Sequence, residues 1–182
     1  SGSVICFPPA AIFGEEAIRI GRQVMIGPNV SLSAGMSPDQ PLISDRIVVL
    51  GDRCLIGRNS SISGHLSIEI GEDVYFGPNV YVTDQNHAAT DPTIPIGWQA
   101  ASERPVRIGA GSWIGTNAVI LPGVTIGPRA IIGAGAVVTR NVAAGAVAVG
   151  SPARIVSDGQ LDDPTATGST PRTGRTPRGR LR

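Results

Sequence analysis

An apolar residue recurs every six positions along most of this 182-residue chain. The series runs Ile20, Ile26, Leu50, Ile56, Ile70, Phe76, Ile108, Ile114, Ile120, Ile126, Ile132 and Val138. Gly follows ten of the twelve, Leu121 and Thr139 being the exceptions. Four residues after each apolar position stands a small or β-branched one, such as Val24, Cys54, Ser60, Ala118 or Ala136. A period of six fits neither the helical repeat of 3.6 nor the two-residue alternation of a hairpin meander. It fits a short strand, a turn and another short strand, with one large and one small side chain pointing inward per unit. Three units close a triangular coil, and coils stack through parallel backbone hydrogen bonds about 4.8 Å apart.

Coils then begin near residues 20, 50, 70, 108 and 126, and Leu32, Ile62, Val82, Ile120 and Val138 take the third position in each. The phase breaks three times. It carries twelve extra residues between Leu32 and Leu50, two between Ile62 and Ile70 around Gly64-His65, and twenty between Val82 and Ile108. Each break follows a third unit, so all three insertions are expected at one corner of the prism. Val4 to Phe13, with Pro8-Pro9, reads as apolar but out of phase. It is expected to cover the lower end, where open strand edges invite aggregation.

Composition agrees with this architecture. Aromatic residues make up 4% of the chain, while Gly numbers 24 and Pro 15, so the core must come from aliphatic side chains in short segments. The expected organisation is a cap segment at 1–19, the repeat at 20–143 with insertions at 33–46 and 83–107, a closing segment at 144–157 and a tail at 158–182. The tail is rich in Thr, Pro, Gly and Arg, with little to bury, and reads as disordered. Residues 1–163 carry ten Arg against fourteen Asp and Glu, whereas residues 164–182 carry five Arg and no acid. The body therefore presents no polycationic face for nucleic acid. No apolar run approaches the roughly 20 residues of a membrane span, and no signal-peptide pattern is visible, so a cytoplasmic location is expected. Two His exclude a metal site needing three from one chain, and no metal is expected.

The repeat resembles the hexapeptide-repeat family, whose fold is the left-handed parallel β-helix, an all-β solenoid. The long insertion reads Thr83-Asp84-Gln85-Asn86-His87, then Ile94-Pro95-Ile96-Gly97-Trp98 and Glu103-Arg104-Pro105. It rejoins the repeat at Trp113-Ile114-Gly115-Thr116, and the chain later runs Gly150-Ser151-Pro152-Ala153-Arg154. Over roughly residues 48–156 this succession is similar to the hexapeptide acyltransferases, in particular the maltose, galactoside and xenobiotic O-acetyltransferases. The helical segment that precedes the repeats in the maltose-type enzymes has no counterpart here, and the 33–46 insertion matches none of theirs.

The resemblance implies an acyl-CoA-dependent transferase, with acetyl-CoA as co-substrate and a sugar or other small hydroxyl or amine compound as acceptor. His87 falls on the family's catalytic histidine, a general base whose ordinary pKa lies near working pH. Asp84, three residues before it, is a candidate to orient the ring, with Glu103 as a comparable one. Asn86, Trp98 and Glu103 are candidate acceptor contacts. On the donor side the matched positions are Trp113, Thr116, Ala134, Thr139, Arg140 and Arg154, the arginines toward the CoA phosphates. The family's sites lie between subunits, which implies a homotrimer. A β-helix kept as a non-catalytic assembly module is the alternative. His65 sits in the short insertion at the same corner, with a solvated surface histidine as the simpler reading. Cys54 occupies an inward small position, where packing accounts for it.

Overall fold

The computed structural model describes residues 3–35 and 41–158. Three parallel sheets form the three faces of a prism. The first contains Ile5–Cys6, Met25–Ile26, Leu55–Ile56, Tyr75–Phe76, Trp113–Ile114, Ile131–Ile132 and Val147–Val149. The second contains Ala10–Phe13, Val30–Ala34, Ser61–Gly64, Tyr81–Thr83, Val119–Ile120 and Val137–Val138. The third contains Ile18–Ile20, Val48–Leu50, Ile68–Ile70, Val106–Ile108 and Thr125–Ile126. The chain visits third, first and second faces in turn, the stacked triangular coils that the period implied, and the fold is the left-handed parallel β-helix that the resemblance implied.

Register explains the period. Tyr75–Phe76 pairs with Trp113–Ile114, which pairs with Ile131–Ile132, and each second residue points inward. The inward columns of Ile, Leu and Val fill the prism, with Phe76 the one ring among the buried apolar residues described. Burying each such side chain contributes roughly 1.5–3 kcal/mol. The outward columns differ in chemistry from face to face. On the first stand Ile5, Met25, Leu55, Tyr75, Trp113, Ile131 and Val147, all apolar or aromatic. On the second stand Ala11, Ser31, Ser61, Tyr81, Val119 and Val137. On the third stand Arg19, Val49, Glu69, Arg107 and Thr125, with Arg107 paired to Glu69 at 3.2 Å.

Glycine after the inward residue has a steric cause. A Cβ on Gly57 would lie 2.4 Å from the Gly77 carbonyl oxygen, because the next coil's backbone lies against the turn. The corner between the second and third faces lacks this glycine in every coil. There the inward residues are followed by Ser33, Ser63, Thr83, Leu121 and Thr139. The chain stays extended past that corner, as in Val30–Ala34 and Ser61–Gly64, rather than turning tightly over its neighbour. All three insertions leave there, as expected from the phase.

Residues 5–13 differ from expectation. They are in phase: Cys6 stacks on Ile26 and Ile12 on Leu32, in the register of a partial lowest coil. At the upper end, Arg154–Ser157 folds back antiparallel on Val147–Val149. The expectation of a disordered Arg-rich tail falls, apart from Asp158, outside the described residues. No helix among the described residues is long and apolar enough to cross a membrane.

Candidate active site

The long insertion leaves the second face after Thr83 and returns to the third at Val106. Its root is an antiparallel hairpin in which Gln85, Asn86 and His87 face Glu103, Ser102 and Ala101. The hairpin therefore projects as an arm with His87 on its outgoing strand. Its tip is tied by Gln99, whose Oε1 accepts from the Thr90 and Asp91 amides at 3.0 and 3.1 Å. The Gln99 Nε2 donates to the Asp91 and Ile94 carbonyls at 2.9 Å each. Asp91 accepts from the hydroxyl and amide of Thr93, and these bonds hold its carboxyl below the usual carboxylate range.

Between the arm and the second face lies a cavity of about 280 Å³ lined by Tyr81, Thr83, Gln85, Asn86, His87, Gly97, Gln99 and Leu121. His87 is exposed, and its amide donates to the Asn86 side-chain oxygen at 3.0 Å. Among the described residues, no side chain forms a hydrogen bond or ion pair with the His87 imidazole. The cavity combines an imidazole, side-chain amides, hydroxyls and one aliphatic wall. That set can bind a small polar compound and accept a proton from it.

Asp84 has a different role from the one its spacing suggested. It is fully buried, and its carboxylate is taken up by the backbone amides of the short insertion. One oxygen accepts from the His65 amide at 2.9 Å; the other accepts from the amides of His65, Leu66 and Ser67 at 3.0, 2.8 and 2.7 Å. The Asp84 carbonyl also accepts from the Arg104 amide at 2.8 Å, closing the arm's root. Asp84 is an anchor for two insertions, and no geometry here lets it orient His87. Glu103 is likewise displaced from its expected place: its carboxylate meets the ring Nδ1 of His65, outside the cavity. Trp98 is 83% exposed and lies outside the cavity, although its neighbours Gly97 and Gln99 line it. Of the expected acceptor contacts, only Asn86 joins His87.

The expected donor-side residues lie elsewhere. Trp113 stands in the apolar outward column of the first face, 52% exposed. Thr116 and Ala134 occupy the corner between the first and second faces, where the Gly135 amide donates to the Thr116 carbonyl at 2.8 Å. Thr139 stands one coil above Leu121, with Arg140 beside it, and both are exposed. Arg154 is exposed on the returning strand. Within one chain the whole second face separates the His87 arm from Trp113. Tyr81, Thr83, Gln85, Gln99 and Leu121 were not singled out from the sequence. Leu121 did leave a signal, as one of the two places in the twelve-member apolar series where glycine does not follow. Among the described residues, no group of three or more His, Cys, Asp or Glu could hold a metal ion.

Comparison with known proteins agrees with the repeat. Residues 105–140 match the model of the bacterial transferase hexapeptide, and residues 47–84 match that of the hexapeptide repeat of succinyl-transferase. The chain belongs to the hexapeptide-repeat family. It is 35% identical over 144 residues to a Mycobacterium tuberculosis protein named "Probable acetyltransferase", across 79% of this chain and 45% of that one. It is 45% identical over 112 residues to nodulation protein L of Rhizobium leguminosarum, across 62% of this chain and 58% of that one. The chain thus spans about half the length of these curated relatives. Among solved structures, a mutant of the N-acyltransferase AntD from Bacillus cereus superposes with a TM-score of 0.70 at 20% identity. That match covers 85% of this chain and 82% of AntD, whose crystal holds dTDP-4-amino-4,6-dideoxyglucose and coenzyme A. At that identity the likeness concerns the fold.

Proposed function

We propose that this chain transfers an acyl group, acetyl in the first instance, from acyl-CoA to a hydroxyl or amine of a sugar or similar small polar acceptor. The observation that carries the reading is His87. It stands in a polar cavity whose 280 Å³ suits a small acceptor, and no protein carboxylate among the described residues ties up its ring. The family relatives support the transferase class. The AntD complex, with coenzyme A and an amino sugar nucleotide, supports the choice of donor and acceptor chemistry.

In this mechanism the acceptor hydroxyl or amine lies against the neutral His87 imidazole, which removes its proton as the oxygen or nitrogen attacks the thioester carbonyl. The carbonyl electrons shift to oxygen, where a backbone amide stabilises the charge. On collapse the C–S bond breaks, and the CoA thiolate takes a proton from the imidazolium, restoring His87. No thiol nucleophile is needed. Buried Cys54 is held protonated by its apolar surroundings, consistent with a packing role.

The donor reaches this site in a groove between two chains of a homotrimer. The separation of His87 from Trp113 within one chain supports that arrangement, as does the continuous apolar column on the first face, which a neighbouring chain would cover. Trp113, Thr116 and Ala134 then line the pantetheine path, with Thr139, Arg140 and Arg154 toward the phosphate end. The test is thiol release from acetyl-CoA in the presence of hydroxyl and amino sugars. His87→Ala should lower kcat about 10²–10⁴-fold. Equal turnover by the variant would remove His87 as the base. Absence of any CoA binding by the wild-type chain would favour a non-catalytic β-helix module.

A further inference from the structure

The half-buried contact between the His65 ring and the Glu103 carboxylate is not accounted for by the proposed chemistry. His65 is 8% exposed and belongs to the short insertion, whereas Glu103 belongs to the arm one coil above. The two insertions were separated in sequence by 38 residues and meet because both leave the prism at the corner without glycine. Nδ1 of His65 and Oε1 of Glu103 share a hydrogen bond. Glu103 is the cross-strand neighbour of Gln85, which lines the cavity, and it lies two residues from Ala101, the partner of His87. Along a strand that offset is about 7 Å.

We propose that His65 and Glu103 form a clasp that holds the arm in register against the scaffold and so sets the place of His87. They are positioning residues; neither lines the cavity. Several ties secure the arm's root, among them the Gly123 amide, which donates to the Arg104 carbonyl at 3.1 Å. The Asp84 carboxylate and the Arg104 amide hold the outgoing and incoming strands at their base. None of these reaches the returning strand beyond Arg104. The clasp does, through the side chain of Glu103, and without it the pairing of residues 101–103 with 85–87 rests on the hairpin alone. A short isolated hairpin is marginal in water. A general base displaced by about 1 Å can lose two orders of magnitude in rate.

The inference about rate rests on the acyl-transfer reading; the inference about the arm does not. The test therefore has two readouts on wild type, His65→Ala, Glu103→Ala, the double variant and His65→Asn. The Asn amide places a donor where Nδ1 stands. Amide hydrogen exchange of residues 85–87 and 101–103 should quicken about 10–100-fold in both Ala variants and no further in the double one, while strands such as Ile131–Ile132 keep wild-type protection. His65→Asn should restore most of the protection. Unchanged exchange in the folded Ala variants would overturn the clasp, whether or not the protein turns over acetyl-CoA. If the wild type is active, kcat should fall about 10–100-fold in the Ala variants, recover in His65→Asn, and leave the KM for acetyl-CoA within about twofold. Faster exchange with unchanged kcat would overturn the positioning of His87. A wild type without turnover would count against the acyl-transfer reading alone, with exchange still deciding the clasp.

Discussion

Replacing Asp84 separates two roles that a carboxylate three residues before His87 could have. The structure assigns its fully buried side chain to four short contacts with the amides of residues 65–67, between 2.7 and 3.0 Å. Asp84→Asn keeps the shape but removes the charge, and it turns one acceptor into an NH₂ group that faces an amide N–H. A hydrogen bond to a charged group contributes about 1.5–3 kcal/mol against about 1 for a neutral one. Three donors that each lose about 1 kcal/mol give a loss near 3 kcal/mol. Asp84→Ala leaves the same donors without a protein partner, at about 1–3 kcal/mol each. Water can reach the amides of Leu66 and Ser67 in part, which brings the expected cost to about 3–5 kcal/mol. Urea unfolding at fixed protein concentration measures both. If Asp84 instead oriented the His87 ring, Asp84→Asn would lower kcat by orders of magnitude with stability nearly unchanged. A stability loss below about 1 kcal/mol in both variants would refute the anchoring role.

Two further predictions concern the scaffold. Gly57→Ala drives a Cβ to 2.4 Å from a backbone oxygen of the next coil and should cost about 2–3 kcal/mol in urea unfolding. Gly97→Ala, with open space around its Cβ, should change stability by less than about 0.5 kcal/mol; equal effects would remove the stacking explanation of the repeat glycines. Of the chain's two cysteines, exposed Cys6 should react promptly with an aromatic disulfide reagent, and buried Cys54, its thiol pushed up by desolvation, only after unfolding. Two prompt equivalents from the folded protein would contradict the placement of Cys54.

The scaffold was legible because its cause is periodic. Every inward residue of a coil answers to the same local geometry, so Ile108, Ile114 and Ile120 reveal their spacing without knowledge of any partner. The corner of the three insertions followed from the same count. The lowest coil was missed because Cys6 stands where isoleucine is usual and Pro8-Pro9 occupies the turn. Its steps of six from Cys6 to Ile12 and eight to Ile20 nonetheless repeat the steps from Ile56 to Ile62 and Ile70. The site was legible only in part. His87 and Asn86 share one short strand, and a motif can carry them together. Asp84 and Glu103 find partners 17 to 38 residues away, across a corner that brings separate insertions together. Nothing in a local window marks such pairs. Trp98 was chosen for its type, but its neighbours Gly97 and Gln99 are the residues that face the cavity.

The central claim is that one chain's His87 works with a second chain's Trp113. Mixing two inactive variants measures this directly. His87→Ala and Trp113→Ala chains, unfolded together and refolded at equal amounts, should assemble into trimers in which about one quarter of the sites combine an intact His87 with an intact Trp113 from the neighbour. Thiol release from acetyl-CoA should then return to about a quarter of the wild-type rate, while each variant refolded alone stays inactive. A mixture no more active than its components, from variants that each assemble as the wild type does, would contradict the shared site.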